Sequence, residues 1–409
     1  MSTLVVKFGG TSVATTERIQ HVAKRIANEQ AKGHKIVAVV SAMGKTTDQL
    51  VAMANEIVTA PSKREMDVLL TTGEQVTISL LSMALHARGL EAQSFTGWQA
   101  GIVTEQVPSN ARIESIETKA IQAALDAGKI AVVAGFQGID DAGNITTLGR
   151  GGSDTTAVAL AAALKAVRCD IYTDVDGVYT SDPRYVKHAR KLQEMSYDEM
   201  LEMAHLGAGV LHPRSVEVAK NHQIPMTVRS SYDEVEGTLL KEEVTVEKDL
   251  VVRGVAFEEQ IVRMTVYYKE HYTGSLANVF MTLAKNHINV DIIVQSLIEQ
   301  GCPSVSFSVK QSQLAETLDV LATHQATLGF DRIEHETNLA KVSIVGSGMA
   351  SNPGVAAAMF DRLFREGIVV KMVSTSEIKV SVVVLAEDML QAANALHDQF
   401  ELGKVAVEV

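Results

Sequence analysis

Cysteine is nearly absent from this chain: Cys169 and Cys302 are the only two in 409 residues. They have no CxxC spacing and no neighbouring histidine cluster, so neither a disulfide framework nor a structural zinc site is supported. Positive charge is also short, with 37 Lys and Arg against 49 Asp and Glu and a net charge of −12. That balance argues against a nucleic-acid or anionic-membrane surface, which needs clustered cations, so any anionic ligand must be held by a local site. No hydrophobic run reaches the length of a membrane span, and Met1-Ser2-Thr3-Leu4-Val5-Val6-Lys7 carries no charged lead before a long apolar stretch. A cytoplasmic location is the expectation. What is present, 46% hydrophobic and 21% charged residues, fits a soluble globular protein. The length exceeds what one core organises, which predicts two or three domains.

The first 230 or so residues alternate short β-branched runs with longer Ala- and Leu-rich segments of helical period, the pattern of an α/β domain with a mainly parallel sheet. Strands are predicted at Leu4–Phe8, Lys35–Val40, Ile130–Ala134, Ile171–Thr173 and Met226–Arg229, and helices at Thr16–Lys32, Glu74–Ala87 and Ser153–Ala163. Ile36-Val37-Ala38-Val39-Val40 reads as a strand buried on both faces, with helices covering both sides of the sheet. After the charged segment Lys241–Asp249 an internal repeat begins. At an offset of 344 − 264 = 80, Met264 aligns with Ile344, Gly274 with Gly354, Phe280 with Phe360, Ile288 with Ile368 and Val290 with Val370. A third strand follows in each copy, Val305–Val309 and Ser381–Leu385. Two copies of this length suit two small α+β domains better than a solenoid.

Three loops carry the chemistry. Lys7-Phe8-Gly9-Gly10-Thr11-Ser12-Val13 runs from strand through a glycine turn toward a helix, where backbone N–H groups and a lysine can meet a transferring phosphoryl group. A plain strand-to-helix turn is the bland alternative. Ser41-Ala42-Met43-Gly44-Lys45-Thr46-Thr47 imitates a P-loop, but the position where the first P-loop glycine belongs is Val39. The Walker reading fails, leaving hydroxyls and amides at the carboxyl end of a strand, or simply a capped helix start. Thr146-Thr147-Leu148-Gly149-Arg150-Gly151-Gly152-Ser153-Asp154-Thr155 supplies a planar fork for a small carboxylate in Arg150, donors in Ser153 and the helix start, and an acid in Asp154. Asp154 suits a site where it orients Lys7 and a substrate ammonium or Mg²⁺; a first-turn residue is the competing reading. Tyr179 and Arg184 lie in the turn-rich loop after Ile171–Thr173, offering a ring for a base and a cation for phosphate, and Glu74 could meet an ammonium. Each could equally be a surface turn or first-turn residue.

Together these stretches, with Gly207-Ala208-Gly209-Val210-Leu211-His212-Pro213, closely resemble aspartate kinases of the amino-acid kinase family. The similarity runs essentially end to end and looks closest to the lysine-sensitive type of Bacillus-like bacteria. It implies a three-layer sandwich with a mainly parallel sheet over 1–240, then two ACT domains, the first (263–336) inserted within the second (250–262 and 337–409). It implies that Lys7 and Asp154 are catalytic. Lys7, Gly9, Gly10, Ser41, Thr173, Asp174, Tyr179, Asp182 and Arg184 would hold ATP, and Thr47, Glu74, Arg150, Gly152, Ser153 and Asp154 would hold aspartate. Many relatives have Lys where this chain has Gly209, a departure that bears on ATP affinity.

The reaction this implies is direct in-line transfer from MgATP to the β-carboxylate of aspartate, with Mg²⁺ held mainly by the phosphates and no dedicated protein metal site. It would be the first step of lysine, threonine and methionine biosynthesis. A glutamate or acetylglutamate kinase is the nearest rival, and a non-catalytic amino-acid sensor the rival from another class. Lysine, alone or with threonine, is the expected effector, bound by Gly274, Ser275, Leu276, Asp291 and Gln295. At the repeat offset the counterpart of Asp291 is Lys371, so only the first copy offers a carboxylate to a cation. The resemblance further implies a homo-oligomer through the ACT domains. Some relatives make a separate regulatory subunit from an internal start, although no Met lies between Met226 and Met264 here.

Overall fold

The computed structural model describes residues 2–207, 209–242, 251–268, 276–297 and 303–404, and divides into two compact units. The first is Met1–Val178, Lys191–Ala204 and Gly209–Val246; the second is Tyr179–Arg190, His205–Ala208 and Glu247–Val409. A single boundary near residue 240 does not describe this division, because Tyr179–Arg190 is gathered into the second unit.

In the first unit, strands β1 (Thr3–Phe8), β2 (Lys35–Val40), β3 (Ala92–Phe95), β6 (Ile130–Ala134), β9 (Arg168–Thr173), β10 (Glu194–Ser196), β11 (Met226–Ser230) and β12 (Thr238–Lys241) form one sheet. Its order is β10-β12-β11-β9-β1-β2-β6-β3, parallel throughout except between β11 and β12. A smaller sheet joins β4 (Ile102–Thr104), β5 (Ile113–Ile116), β7 (Gln137–Ile139) and β8 (Ile145–Thr147). The helices are α1 (Thr16–Ala31), α2 (Thr46–Ile57), α3 (Lys63–Leu70), α4 (Thr72–His86), α5 (Lys119–Asp126), α6 (Gly152–Ala163), α7 (Tyr197–His205) and α8 (Pro213–His222).

Strand alternation assigns the two faces. Leu4, Val6 and Phe8 of β1, with Ile36, Ala38 and Val40 of β2, share a core with Ile19, Val22 and Ile26 of α1 and Ile78, Leu81 and Leu85 of α4. The odd-numbered residues Val5 and Lys7 point the other way, toward the face on which α6 contacts β1. Burial on both faces explains why β2 reads as a continuous apolar run. One expectation is corrected: Lys63–His86 is long and apolar enough by composition to cross a membrane. It is two helices meeting at Thr71, and half of its most apolar window is buried in the protein, as in a core helix of a soluble fold.

The second unit is built on β13 (Gly254–Tyr268), β14 (Ile293–Leu297), β15 (Pro303–Lys310), β16 (Phe330–Val345), β17 (Met372–Thr375) and β18 (Lys379–Leu385), in the order β14-β15-β13-β16-β18-β17. Helices α9 (Leu276–Lys285), α10 (Leu314–Thr323), α11 (Gln325–Leu328), α12 (Val355–Arg365) and α13 (Met389–Gln399) complete it. The two long strands serve both repeats. Ile261–Tyr267 of β13 pairs with β15, whereas Gly254–Glu258 pairs with Lys341–Val345 of β16, which in turn pairs with β18. Separate cores follow: Met264, Val279 and Phe307 in one half, Ile344, Met359 and Val382 in the other.

Between those halves Lys341, only 5% exposed, meets Glu258 at 3.0 Å and Asp291 at 2.5 Å. Lys341 is buried and Glu258 nearly so, whereas Asp291 is half exposed, so removing the lysine costs less than breaking a fully buried pair, on the order of 1–2 kcal/mol. Lys341→Ala is expected to lower the urea midpoint of the second unit accordingly, tempered by Lys310, which also pairs with Glu258 at 2.7 Å. An unchanged midpoint would show that the network contributes nothing to folding.

Candidate active site

A cavity of about 310 Å³ opens among Lys7, Gly10, Ser41, Ala42, Gly44, Thr47, Glu74, Phe136 and the run Gly149–Asp154. All of these belong to the first unit. Lys7 is near the carboxyl end of β1, whose neighbours β2 and β9 lie on opposite sides of it, and crevices beyond such strand ends are the usual ligand position in parallel sheets. Because Lys7 faces α6, its Nζ reaches Oδ1 of Asp154 in the first turn of that helix, at 2.6 Å, with the two side chains 10% and 13% exposed.

The start of α6 is shaped by glycine. Gly151, its N-cap, has φ of 70°, and a Cβ there would fall 2.2 Å from Cγ of His212. A side chain is excluded both by conformation and by space. Ser153 follows, its Oγ accepting from the Ser41 hydroxyl at 3.0 Å, which joins the β2 loop to the α6 loop. Asp67, fully buried on α3, fixes the approach to this segment. It accepts from Thr147 N at 3.0 Å, Thr147 Oγ1 at 2.7 Å and Ser109 N at 2.9 Å.

Glu74, in the first turn of α4, is 3% exposed. Its Oε1 accepts from Ala42 N at 3.0 Å, while its buried Oε2 has no partner within the protein. Burial pushes its pKa up from 4.5 to about 7, against the lowering effect of backbone hydrogen bonds. A buried carboxylate with one oxygen unsatisfied, in a cavity also lined by Arg150, is suited to receive a cation.

Of the residues expected at the site, the cavity gathers Lys7, Gly10, Ser41, Thr47, Glu74, Arg150, Gly152, Ser153 and Asp154. Gly9 lies behind it, donating its N–H to Tyr172 O at 3.3 Å. Thr173 and Asp174 end β9 outside the lining, joined by a 3.0 Å hydrogen bond. Tyr179, Asp182 and Arg184 fall in the second unit, where Arg184 grips Asp182 with Nη2 to Oδ2 at 2.6 Å. Leu276 begins α9; Asp291, exposed in the loop just before β14, meets Lys341 as described, and Gln295 is exposed within β14; Gly274 and Ser275 lie outside the described residues. Phe136, Asp67 and Arg214 are functional-site neighbours that sequence reasoning missed. The end of β6 at Ala134-Gly135-Phe136 was the available signal for the first; the others offered none. Among the described residues no group of three His, Cys, Asp or Glu side chains is placed to hold a metal.

A parallel-sheet unit with a lysine–aspartate pair and a glycine-rich anion loop at its strand ends defines a kinase of small carboxylates, and residues 2–230 match the amino acid kinase family; residues 342–400 match the ACT domain. The chain is 63% identical over 408 residues to an aspartokinase of Bacillus sp. (strain MGA3), covering 100% of this chain and 99% of that one. It is 60% identical over 404 residues to aspartokinase 2 of Bacillus subtilis (strain 168), covering 99% of each. E. coli aspartokinase III, solved in complex with aspartate and ADP, superposes with a TM-score of 0.82 at 29% identity, over 97% of this chain and 99% of that one. The chain belongs to the aspartokinases of the amino acid kinase family, and it is an enzyme of that class, an aspartate kinase.

The raised pKa of Glu74 fixes a sign. Between pH 4.5 and about 7 the native state keeps a proton that the unfolded chain has released, so stability falls as pH rises through that window and is level above it. The span corresponds to about 3 kcal/mol. Glu74→Gln is expected to abolish that fall, so that urea unfolding at pH 5 and pH 8 shows a smaller difference in the variant than in the parent. Equal differences would mean that Glu74 ionises freely in the fold.

Proposed function

We propose that the first unit transfers the γ-phosphoryl group of ATP to the β-carboxylate of L-aspartate, giving 4-phospho-L-aspartate for lysine, threonine and methionine biosynthesis. The observation that carries this reading is the cavity itself: one cation–anion pair, one forked cation and one unsatisfied buried carboxylate around a space sized for a small ligand. In it Arg150 binds a carboxylate of aspartate, Glu74 binds the ammonium, and Thr47, Gly152 and Ser153 complete the polar wall. Lys7 stabilises charge on the transferring phosphoryl group, and Asp154 holds the Lys7 ammonium in place. No enzyme nucleophile is required, because the substrate carboxylate attacks in line.

Gly9, Gly10 and Ser41 are proposed to face the phosphates, with Thr173, Asp174, Tyr179, Asp182 and Arg184 serving the nucleotide. Mg²⁺ fits a site of this kind as a partner of the phosphates, neutralising their charge, with Asp154 the acid nearest the lysine. The domain limits 1–240, 263–336, and 250–262 with 337–409 remain the proposed division by function, and the cytoplasm the proposed location. The ACT halves are proposed to join copies of the chain into a homo-oligomer, and a separate regulatory subunit is proposed as a further partner, as in the relatives that make one.

The effector reading places lysine, alone or with threonine, at the first half, with Gly274, Ser275, Leu276, Asp291 and Gln295. E. coli aspartokinase III has been solved with lysine and aspartate, at 28% identity and a TM-score of 0.76 over 97% of this chain and 99% of that one. Asp291 pairs with Lys341 at 2.5 Å, so an incoming ammonium competes with that side chain for the carboxylate.

Lys7→Ala, which leaves Asp154 without its partner, is expected to lower the urea midpoint but still fold, and to lower kcat by several orders of magnitude, the effect of removing a preorganised cation from phosphoryl transfer. A coupled ADP-release assay reads this, and near-normal turnover would remove Lys7 from the chemistry. In the same assay Asp291→Ala is expected to stay active but need about tenfold more lysine for half-inhibition. Unchanged lysine sensitivity would move the effector elsewhere.

A further inference from the structure

The motif that ends in His212-Pro213 is used by neither the cavity nor the chemistry described above, and the structure shows what surrounds it. His212 is the N-cap of α8, its Nδ1 accepting from Arg214 N at 3.3 Å. The Gly151 geometry shows that its ring occupies the space a side chain would need at the start of α6. Arg214, two residues on, donates from Nη1 to Leu148 O at 2.7 Å and to Asn110 Oδ1 at 3.3 Å, and from Nη2 to Ala111 O at 2.9 Å. Ala111 in turn donates its N–H to Thr147 O at 2.9 Å. One guanidinium thus ties two loops together immediately before Arg150.

Those acceptors are neutral. Burial lowers the Arg214 pKa and the charge of Arg112 lowers it further, with the more weakly felt Glu105 and Glu217 acting the other way. A half-buried cation spent on backbone carbonyls is a costly choice for stability alone, since such bonds do not repay desolvation as a carboxylate would. What it gains is geometry: the fork fixes two carbonyl directions at once, which a lysine cannot do.

We propose that Arg214 and His212 are positioning residues of the aspartate subsite, holding the Leu148–Ser153 loop in the one shape that presents Arg150 and the α6 N–H groups to the substrate carboxylate. Arg214 does not line the cavity and acts only through the loop. The inference rests on the reading of Arg150 as the carboxylate anchor.

Arg214→Met keeps the length of the side chain and removes every donor. With folding checked by circular dichroism and urea midpoint, kcat/KM for aspartate is expected to fall about 10²-fold, while KM for ATP changes little. Arg214→Lys, which keeps the charge, serves if the Met variant does not fold, and is expected to show the same split. In Arg214→Ala, millimolar guanidinium is expected to restore aspartate kinetics, a rescue that a purely structural residue does not give. Equal effects on both substrates, or none, would overturn the proposal. Arg150→Lys, assayed in parallel, separates the two ideas. A raised aspartate KM there with none in the Arg214 variants overturns the clamp and keeps the pocket reading. The reverse removes Arg150 from the carboxylate and with it the anchor that the loop is proposed to present, so it overturns the proposal together with the reading it rests on.

Discussion

Lys7 and Asp154 face each other across 2.6 Å with little water at either side chain. At that depth each charge alone would cost several kcal/mol to desolvate, so neither can be placed unless the other is there. That mutual dependence sets the geometry of the first unit. Lys7 must be an odd-numbered residue of β1, on the face that α6 covers, and α6 must begin where its first turn meets the lysine. The turn that delivers α6 therefore has no freedom, and its glycines are read best as consequences of that demand: Gly151 is left-handed because the helix must start there, under the His212 ring.

Beside this satisfied pair stands an unsatisfied acid. Glu74 is more deeply buried than either partner, yet one of its oxygens has no protein donor, and the molecule is less stable at neutral pH for holding it. The contrast separates two uses of charge in one cavity. The Lys7–Asp154 pair brings its two charges together within the protein, each offsetting the desolvation of the other. Glu74 finds no such partner for its Oε2 within the protein, and burial raises its pKa accordingly.

What the sequence revealed and concealed follows from how local each constraint is. β2 and β6 have the limits their apolar runs predict, and β1, α1 and α6 differ by one residue, because burial on both faces or one amphipathic stripe is written in consecutive residues. The repeat at offset 80 was legible because each copy must bury the same face, and both copies place a helix against a strand hairpin. Cavity residues in glycine-rich loops were legible for a similar reason, since anion chemistry demands particular residue types close together. The Asp67 and Arg214 contacts were not, because an Asp in a short helix rich in charge or an Arg after a proline has no local signature. Their partners lie 42 to 104 positions away. Lys341 hides in a β-rich run for the same reason, since its carboxylates come from β13 and from the loop before β14.

Tyr179–Arg190 carries that lesson furthest. The family match runs through it without a break, from residue 2 to residue 230, and its residues read as a nucleotide loop of the kinase unit. Yet Val186 is buried in the same core as Val342, Met359 and Leu396, Tyr185 meets Phe257 edge to face at 5.8 Å, and Thr180 bonds buried His397 at 2.9 Å, 217 positions away. A segment belongs to the core that excludes water from it, whatever its neighbours in sequence do. Burial at Val186 alone is worth on the order of 2 kcal/mol, more than a turn-rich loop could recover from its own hydrogen bonds. A chain cut at residue 240 would keep the family's motifs and strip this loop of the core that buries Val186 and of the Phe257 and His397 contacts. The positions of Asp182 and Arg184 are therefore properties of the ACT-containing unit, and sequence continuity with the kinase motifs does not define them.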